Sequence, residues 1–154
     1  MIQFVGSGGH YSVLKEIADL SEGEGWIIAV GDNSFRRKEA LKIDGIFARL
    51  FHPSSIISIS AEIGVGTVVM AGAIIQAKAS IGRHCIVNSG AQVDHGCQIA
   101  DYVHIAPGAV LCGDVTVGEG AFIGAGAIIA QGVRIDPWSF IKAGSVVGTV
   151  QSHG

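Results

Sequence analysis

Ile57, Ile63, Val69, Ile75, Ile81, Val87, Val93, Ile99, Ile105, Leu111, Val117, Ile123, Ile129, Ile135, Ile141 and Val147 stand six residues apart. All sixteen positions carry Ile, Val or Leu, and no insertion or deletion interrupts the series. Four residues after each comes mostly a small side chain, as at Ala61, Thr67, Ala73, Ala79, Cys85, Ala91, Cys97, Val103 and Ala109. Neither the ~3.6-residue period of a helix nor the alternation of a half-buried strand yields this spacing. A fixed period held this long marks a stacked repeat. With 23 glycines and only 6% aromatic residues, the interior has to be filled by small and aliphatic side chains.

The pattern resembles the hexapeptide repeat of the left-handed parallel β-helix, in which three hexads form one triangular coil. Fifteen full hexads then give five coils, each strand pairing with the one about 18 residues away at ~4.8 Å. The left hand, an exception to the right-handed crossover rule, is implied by the resemblance alone. In such a coil the aliphatic residue points inward and its sequence neighbours point outward. Face 1 then carries Glu62, Ser80, Gln98, Thr116 and Arg134, a polar stripe. Face 2 carries Val68, Ile86, His104, Phe122 and Phe140, and face 3 carries Ile74, Gln92, Val110, Ile128 and Val146. Two apolar outer faces predict a homotrimer in which each prism presses both against neighbours.

Working outward, residues 1–52 read as a truncated α/β, Rossmann-like region and 53–154 as the β-helix. Ile2 to Val5 predicts a strand, Ser12 to Leu20 a helix and Trp26 to Val30 a second strand, with a basic helix over Arg36, Arg37 and Lys38. Between them stand Gly6-Ser7-Gly8-Gly9-His10 and Gly31-Asp32-Asn33, candidate nucleotide-sugar-binding turns. A strand, a Gly-rich turn and a helix start can cradle phosphate. A turn that merely needs glycine explains the first segment equally well, because Tyr11 stands where the third Gly of a dinucleotide fingerprint belongs.

Composition narrows the function. The 154 residues carry 10 Lys and Arg against 13 Asp and Glu, a net charge of −3, which argues against nucleic-acid binding. A mean hydropathy of +0.49 hints at a membrane, but the uncharged stretches Ile63 to Ala77 and Gly120 to Val133 are Gly-rich and fall short of the ~18 apolar residues a span needs. Met1-Ile2-Gln3 lacks the basic start of a signal peptide, so a cytoplasmic location is expected. Three cysteines without a CxxC pair predict reduced thiols.

A strand-GSGGH-helix start followed by this repeat resembles the sialic-acid O-acetyltransferase family. That family includes N-acetyltransferases acting on UDP- or GDP-linked amino sugars in bacterial glycan synthesis. The resemblance is most specific at Val87-Asn88-Ser89-Gly90-Ala91-Gln92-Val93-Asp94-His95-Gly96-Cys97 and on through Asp101 to Gly108. Two features depart from it. The middle of the N-terminal domain, between the first helix and Trp26, is missing, and Ser152-His153-Gly154 stands where members continue into a further strand and tail.

The resemblance implies an acetyl-CoA-dependent acetyltransferase acting on a small-molecule sugar or nucleotide-sugar amine or hydroxyl. Acetyl-CoA is then a co-substrate, and no metal is expected. It makes His95 the general base, a task suited to an imidazole titrating near working pH. It places Asn88 and His104 around the acetyl group and thioester, and His104, Ala125 and Ala143 along the coenzyme; an interface hydrogen bond and a packed interface ring are the plainer readings of Asn88 and His104. Residue 113 lies one coil beyond 95, so Gly113 is a candidate oxyanion donor. The family's acidic residue after the catalytic His is Gly96 here; Asp114, one coil on, can supply the carboxylate, with Asp94 as its rival. His84 reads as surface. Two other classes share the fold. One is a non-catalytic trimeric sugar-binding or scaffold module. The other is a zinc carbonic anhydrase, for which His84, His95 and His104 lack the family's close His pair.

Overall fold

The computed structural model describes residues 1–20 and 23–148. The terminal Ser152-His153-Gly154 lies outside them. Seventeen two-residue strands, from β3 (Leu50–Phe51) to β19 (Val146–Val147), wind a left-handed parallel solenoid of about 5 turns. They stack into three parallel sheets of five strands on face 1 and six each on faces 2 and 3. Each pairing joins residues 18 apart in sequence, as in Gln92 with Val110 and His104 with Phe122. The three faces carry the side chains that the repeat assigns to them.

The hexad works because its two inward positions fill the prism between them. Val69, Ile75, Val87, Val93, Ile105, Leu111, Ile123 and Ile129 form one buried column system with Ala73, Ala79, Cys85, Ala91, Cys97, Ala109 and Ala127. Buried in that column, the Cys85 and Cys97 thiols are pushed up to about 12 and about 11 by desolvation, which makes them inert. Each corner also needs one residue in the left-handed region. Glycine serves at most corners, but His84 (φ 53°), Tyr102 (φ 60°), Asp114 (φ 58°) and Trp138 (φ 60°) adopt it too.

The first fifty residues form one βαβ unit rather than a Rossmann-like domain. β1 (Ile2–Val5) pairs in parallel with β2 (Gly25–Ile28), with α1 (Gly9–Asp19) between them, and this sheet has two strands. α1 begins three residues earlier than the apolar period predicts, because the Gly8 carbonyl accepts from the amide and hydroxyl of Ser12. α2 (Asn33–Ala40) is capped by Asp32, whose Oδ1 accepts from Phe35 N at 2.7 Å. A single bridge from Trp26 to Phe47 leads the chain from β2 into β3, which already belongs to the solenoid's face 2 sheet.

Leu14 and Ile17 of α1, with Ile27 and Ala29, bury Val68, Met70 and Ile86. Truncating a fully buried residue such as Leu14 to Ala would cost about 2–5 kcal/mol. This seat corrects one expectation. The first half of face 2 is apolar because its own N-terminal region covers it, not because a neighbouring chain does.

Candidate active site

Gln92 and Val93 end face 3, and the chain then turns through Asp94, His95 and Gly96 towards face 1. His95 stands out from this corner with its side chain 58% exposed, so its ring is open to a reactant. Asp94 Oδ1 accepts from both the His95 amide at 2.7 Å and the ring Nδ1 at 3.0 Å. These bonds hold the Asp94 carboxyl below its usual range. A carboxylate only accepts, so Nδ1 carries the proton and Nε2 keeps its lone pair.

The ring lies against Gly113 of the next coil. A Cβ at Gly113 would sit 2.5 Å from His95 Cε1 and 2.7 Å from Nε2, so only glycine admits the imidazole there. The Gly113 amide donates to no protein acceptor among the described residues. Asp114 lies against Gly96, where a side chain would collide with its Oδ1. It makes no hydrogen bond to the His95 ring. The carboxylate that grips the imidazole is therefore Asp94, and Asp114 explains instead why residue 96 is glycine.

One face away, at the corner between faces 2 and 3, Asn88 Nδ2 donates to His104 Nε2 at 3.1 Å. The ring's Nδ1 donates to the Gly31 carbonyl at 3.2 Å, and Asn88 Oδ1 accepts from the Ser89 amide at 2.8 Å. Burial lowers His104 to about 4, with the Arg36 charge adding to it. His104 is thus a neutral acceptor of fixed tautomer at neutral pH. Ala125 and Ala143 are exposed on the same corner, stacked coil upon coil through the Gly144 amide on the Ala125 carbonyl. His95 does not join this group within the chain. A whole face of the prism, ~13 Å for four residues of strand, separates the two corners.

The N-terminal turns divide. Ser7, Gly8 and Gly9 are exposed at the start of α1, whereas Gly6 (φ 118°) is fixed by the Ala29 carbonyl, 2.7 Å from any Cβ it might carry. His10 Nε2 is buried without a hydrogen-bond partner, and the ring centroid lies 6.3 Å from that of His104. Asn33 is spent on structure, its Nδ2 donating to the Gly120 and Ala121 carbonyls at 3.0 and 3.1 Å. Asp32 caps α2, and the Gly31 carbonyl holds His104.

One residue was misread from sequence. His84 is 4% exposed, not a surface residue: it stacks on Tyr102 with ring centroids 5.3 Å apart and meets the edge of Phe47 at 4.5 Å. A repeat that marks inward positions cannot show that the N-terminal region folds over this corner. The basic helix over Arg36, Arg37 and Lys38 forms, and it buries Arg36, which is 1% exposed. Arg36 and Ala40 stand four residues apart on the inward face of α2. His84, His95 and His104 lie in three different settings, and no group of three metal-ligating side chains gathers among the described residues.

Comparison with known proteins places this geometry. Residues 69–152 match the family model described as the GMPPB C-terminal domain. The acetyltransferase domain of PglB from Neisseria gonorrhoeae is 30% identical with a TM-score of 0.89, covering 99% of this chain and 93% of that one. It has also been solved with acetyl coenzyme A. PerB from Caulobacter crescentus, solved with CoA and GDP-perosamine, is 32% identical with a TM-score of 0.88 over 96% of this chain and 88% of its own. The same enzyme has been solved with one histidine replaced by Asn or Ala. UDP-N-acetylbacillosamine N-acetyltransferase of Bacillus subtilis is 52% identical over 50 residues, which span 30% of this chain and 23% of that protein.

Proposed function

The chain belongs to the family described by the GMPPB C-terminal domain and to the sugar N-acetyltransferases of the PglB and PerB kind, and from that membership we propose how it works. It is an acetyltransferase that moves the acetyl group of acetyl-CoA to the amino group of a nucleotide-linked sugar. The observation that carries the mechanism is the exposed His95 ring, held at Nδ1 by Asp94 and seated on Gly113. His95 Nε2 takes a proton from the acceptor amine as its nitrogen attacks the thioester carbonyl. The unpaired Gly113 amide is the candidate donor to the developing oxyanion. When the C–S bond breaks, His95 returns the proton to the departing CoA sulfur.

The acyl donor needs a polar cradle and a smooth path. Asn88 keeps one N–H and one Oδ1 lone pair beyond its bonds to His104 and Ser89, and the small Ala125 and Ala143 continue the same corner. These residues fit a thioester and its pantetheine arm. Because His95 stands one face away, the site is completed between two chains of a trimer, His95 from one and Asn88 and His104 from the next. Exposed Ile128, Val146 and Phe140 flank that corner and supply the apolar contact. Gly8, Gly9 and His10 remain the candidate contacts for the nucleotide phosphate, at the start of α1.

Incubation with acetyl-CoA and a panel of UDP- and GDP-linked amino sugars and sialic acids, read by mass spectrometry, tests the proposal. An acetylated nucleotide-amino sugar is expected. Acetyl-CoA bound but transferred to no member of the panel, with the PglB domain active on its own acceptor alongside, contradicts it and favours a binding module.

A further inference from the structure

Arg36 is a buried cation without a carboxylate in contact among the described residues, a costly arrangement unless its geometry is needed. All five of its N–H donors are matched. Nε donates to the His84 carbonyl at 2.7 Å, Nη1 to the Val30 and Gly31 carbonyls at 3.0 and 3.2 Å, and Nη2 to Asn33 Oδ1 at 2.7 Å and the Tyr102 carbonyl at 3.1 Å. His84 and Tyr102 are corresponding corner residues of adjacent coils, so one guanidinium ties two rungs of the solenoid to the loop before α2.

An apolar side chain would dock α2 more cheaply, but it would not fix the direction of a carbonyl. The Gly31 carbonyl is the one acceptor of Arg36 that also receives the His104 Nδ1 proton. From there the order is set link by link. Nδ1–H leaves Nε2 as an acceptor, Nε2 selects the Asn88 Nδ2 face, and Asn88 Oδ1 takes the Ser89 amide. We propose that Arg36 is a positioning residue of the acyl-donor site, aiming the Gly31 carbonyl so that His104 is held as the Nδ1–H tautomer and Asn88 presents a fixed amide to the thioester. This rests on the assignment of Asn88 and His104 to acetyl-CoA. The other groups facing the ring, His10 from α1 and Phe122 from the next coil, offer it no competing hydrogen bond.

Long-range proton–nitrogen spectra of the histidine rings in the intact protein read the tautomer directly. In the wild type at neutral pH, His104 should show a protonated Nδ1 and an unprotonated Nε2; the reverse assignment overturns the proposal without any variant. Arg36→Lys keeps the charge but cannot span the five acceptors. It should give a mixture of His104 tautomers and weaken acetyl-CoA binding by about tenfold, the usual scale for losing a partner that orients a ligand-binding group. Arg36→Lys or Arg36→Gln that is folded by circular dichroism yet keeps the wild-type His104 tautomer overturns the proposal. If Asn88→Ala and His104→Ala both bind acetyl-CoA as the wild type does, the assignment beneath it fails instead, and the tautomer result stands apart.

Discussion

At the scale of single residues, the proposed mechanism rests on the contact of His95 with Asp94 on one side and Gly113 on the other. His95→Ala should lower kcat by about 10²–10⁴ while leaving the Kd for acetyl-CoA near its wild-type value, because a base acts on the acceptor rather than on the donor. Asp94→Asn should cost more activity than Asp114→Asn in the same assay, since it is Asp94 that grips Nδ1. Gly113→Ala is the sharper probe. No positive φ is recorded at this position, so the backbone tolerates alanine, but the added Cβ drives the imidazole from its seat. Activity should fall at least tenfold with little change in Tm, as for other small displacements of a reacting group. The outward placement of His95, Asn88 and His104 and the stacking of Gly113 on His95 were legible in the sequence, through motif and an 18-residue stacking rule. Asp94 against Asp114 was not, because choosing between a neighbour in sequence and a neighbour in the next coil depends on a side-chain rotamer.

At the scale of elements, the seam between the βαβ unit and the solenoid holds three histidines, His84 and His104 buried and His10 half-buried, each lowered to about 4. Burial is the largest cause in all three, and the enclosed Arg36 charge pushes the same way. The sign follows from linkage. These rings are neutral when folded and titrate near 6.5 when released, so unfolding takes up protons between those values. The stability they contribute is complete above about pH 6.5, falls as pH drops towards 4, and is lost below it. Hydrogen exchange should show α1, β2 and α2 losing protection across this window before the solenoid does; simultaneous loss of both would mean that the seam is not the acid-sensitive element. Helices and strands of the N-terminal region were foreseen to within a few residues, yet their docking was not. The hexad reports only which residues face into the prism, and nothing in it reports what lies over the outer face.

At the scale of the whole molecule, the apolar surface open to a neighbouring chain is narrower than the sequence suggested, and better localised. Val68 and Ile86 are 2% and 1% exposed beneath the chain's own N-terminal region. What stays open is Ile128 (42%), Val146 (62%) and Phe140 (70%) beside the corner that carries Asn88. Ile128→Asp would bury an unpaired charge at that contact, and sedimentation should show trimers giving way to monomers. A wild-type protein that sediments as a monomer at micromolar concentration contradicts the assembly. The most direct test of the account is complementation between two inactive variants. His95→Ala and Asn88→Ala trimers, dissociated, mixed and reassembled, should regain acetyl transfer, because about a quarter of randomly formed interfaces then pair an intact His95 with an intact Asn88 from its neighbour. A mixture that stays inactive after subunit exchange has been verified, with both variants inactive alone, would contradict a site shared between chains.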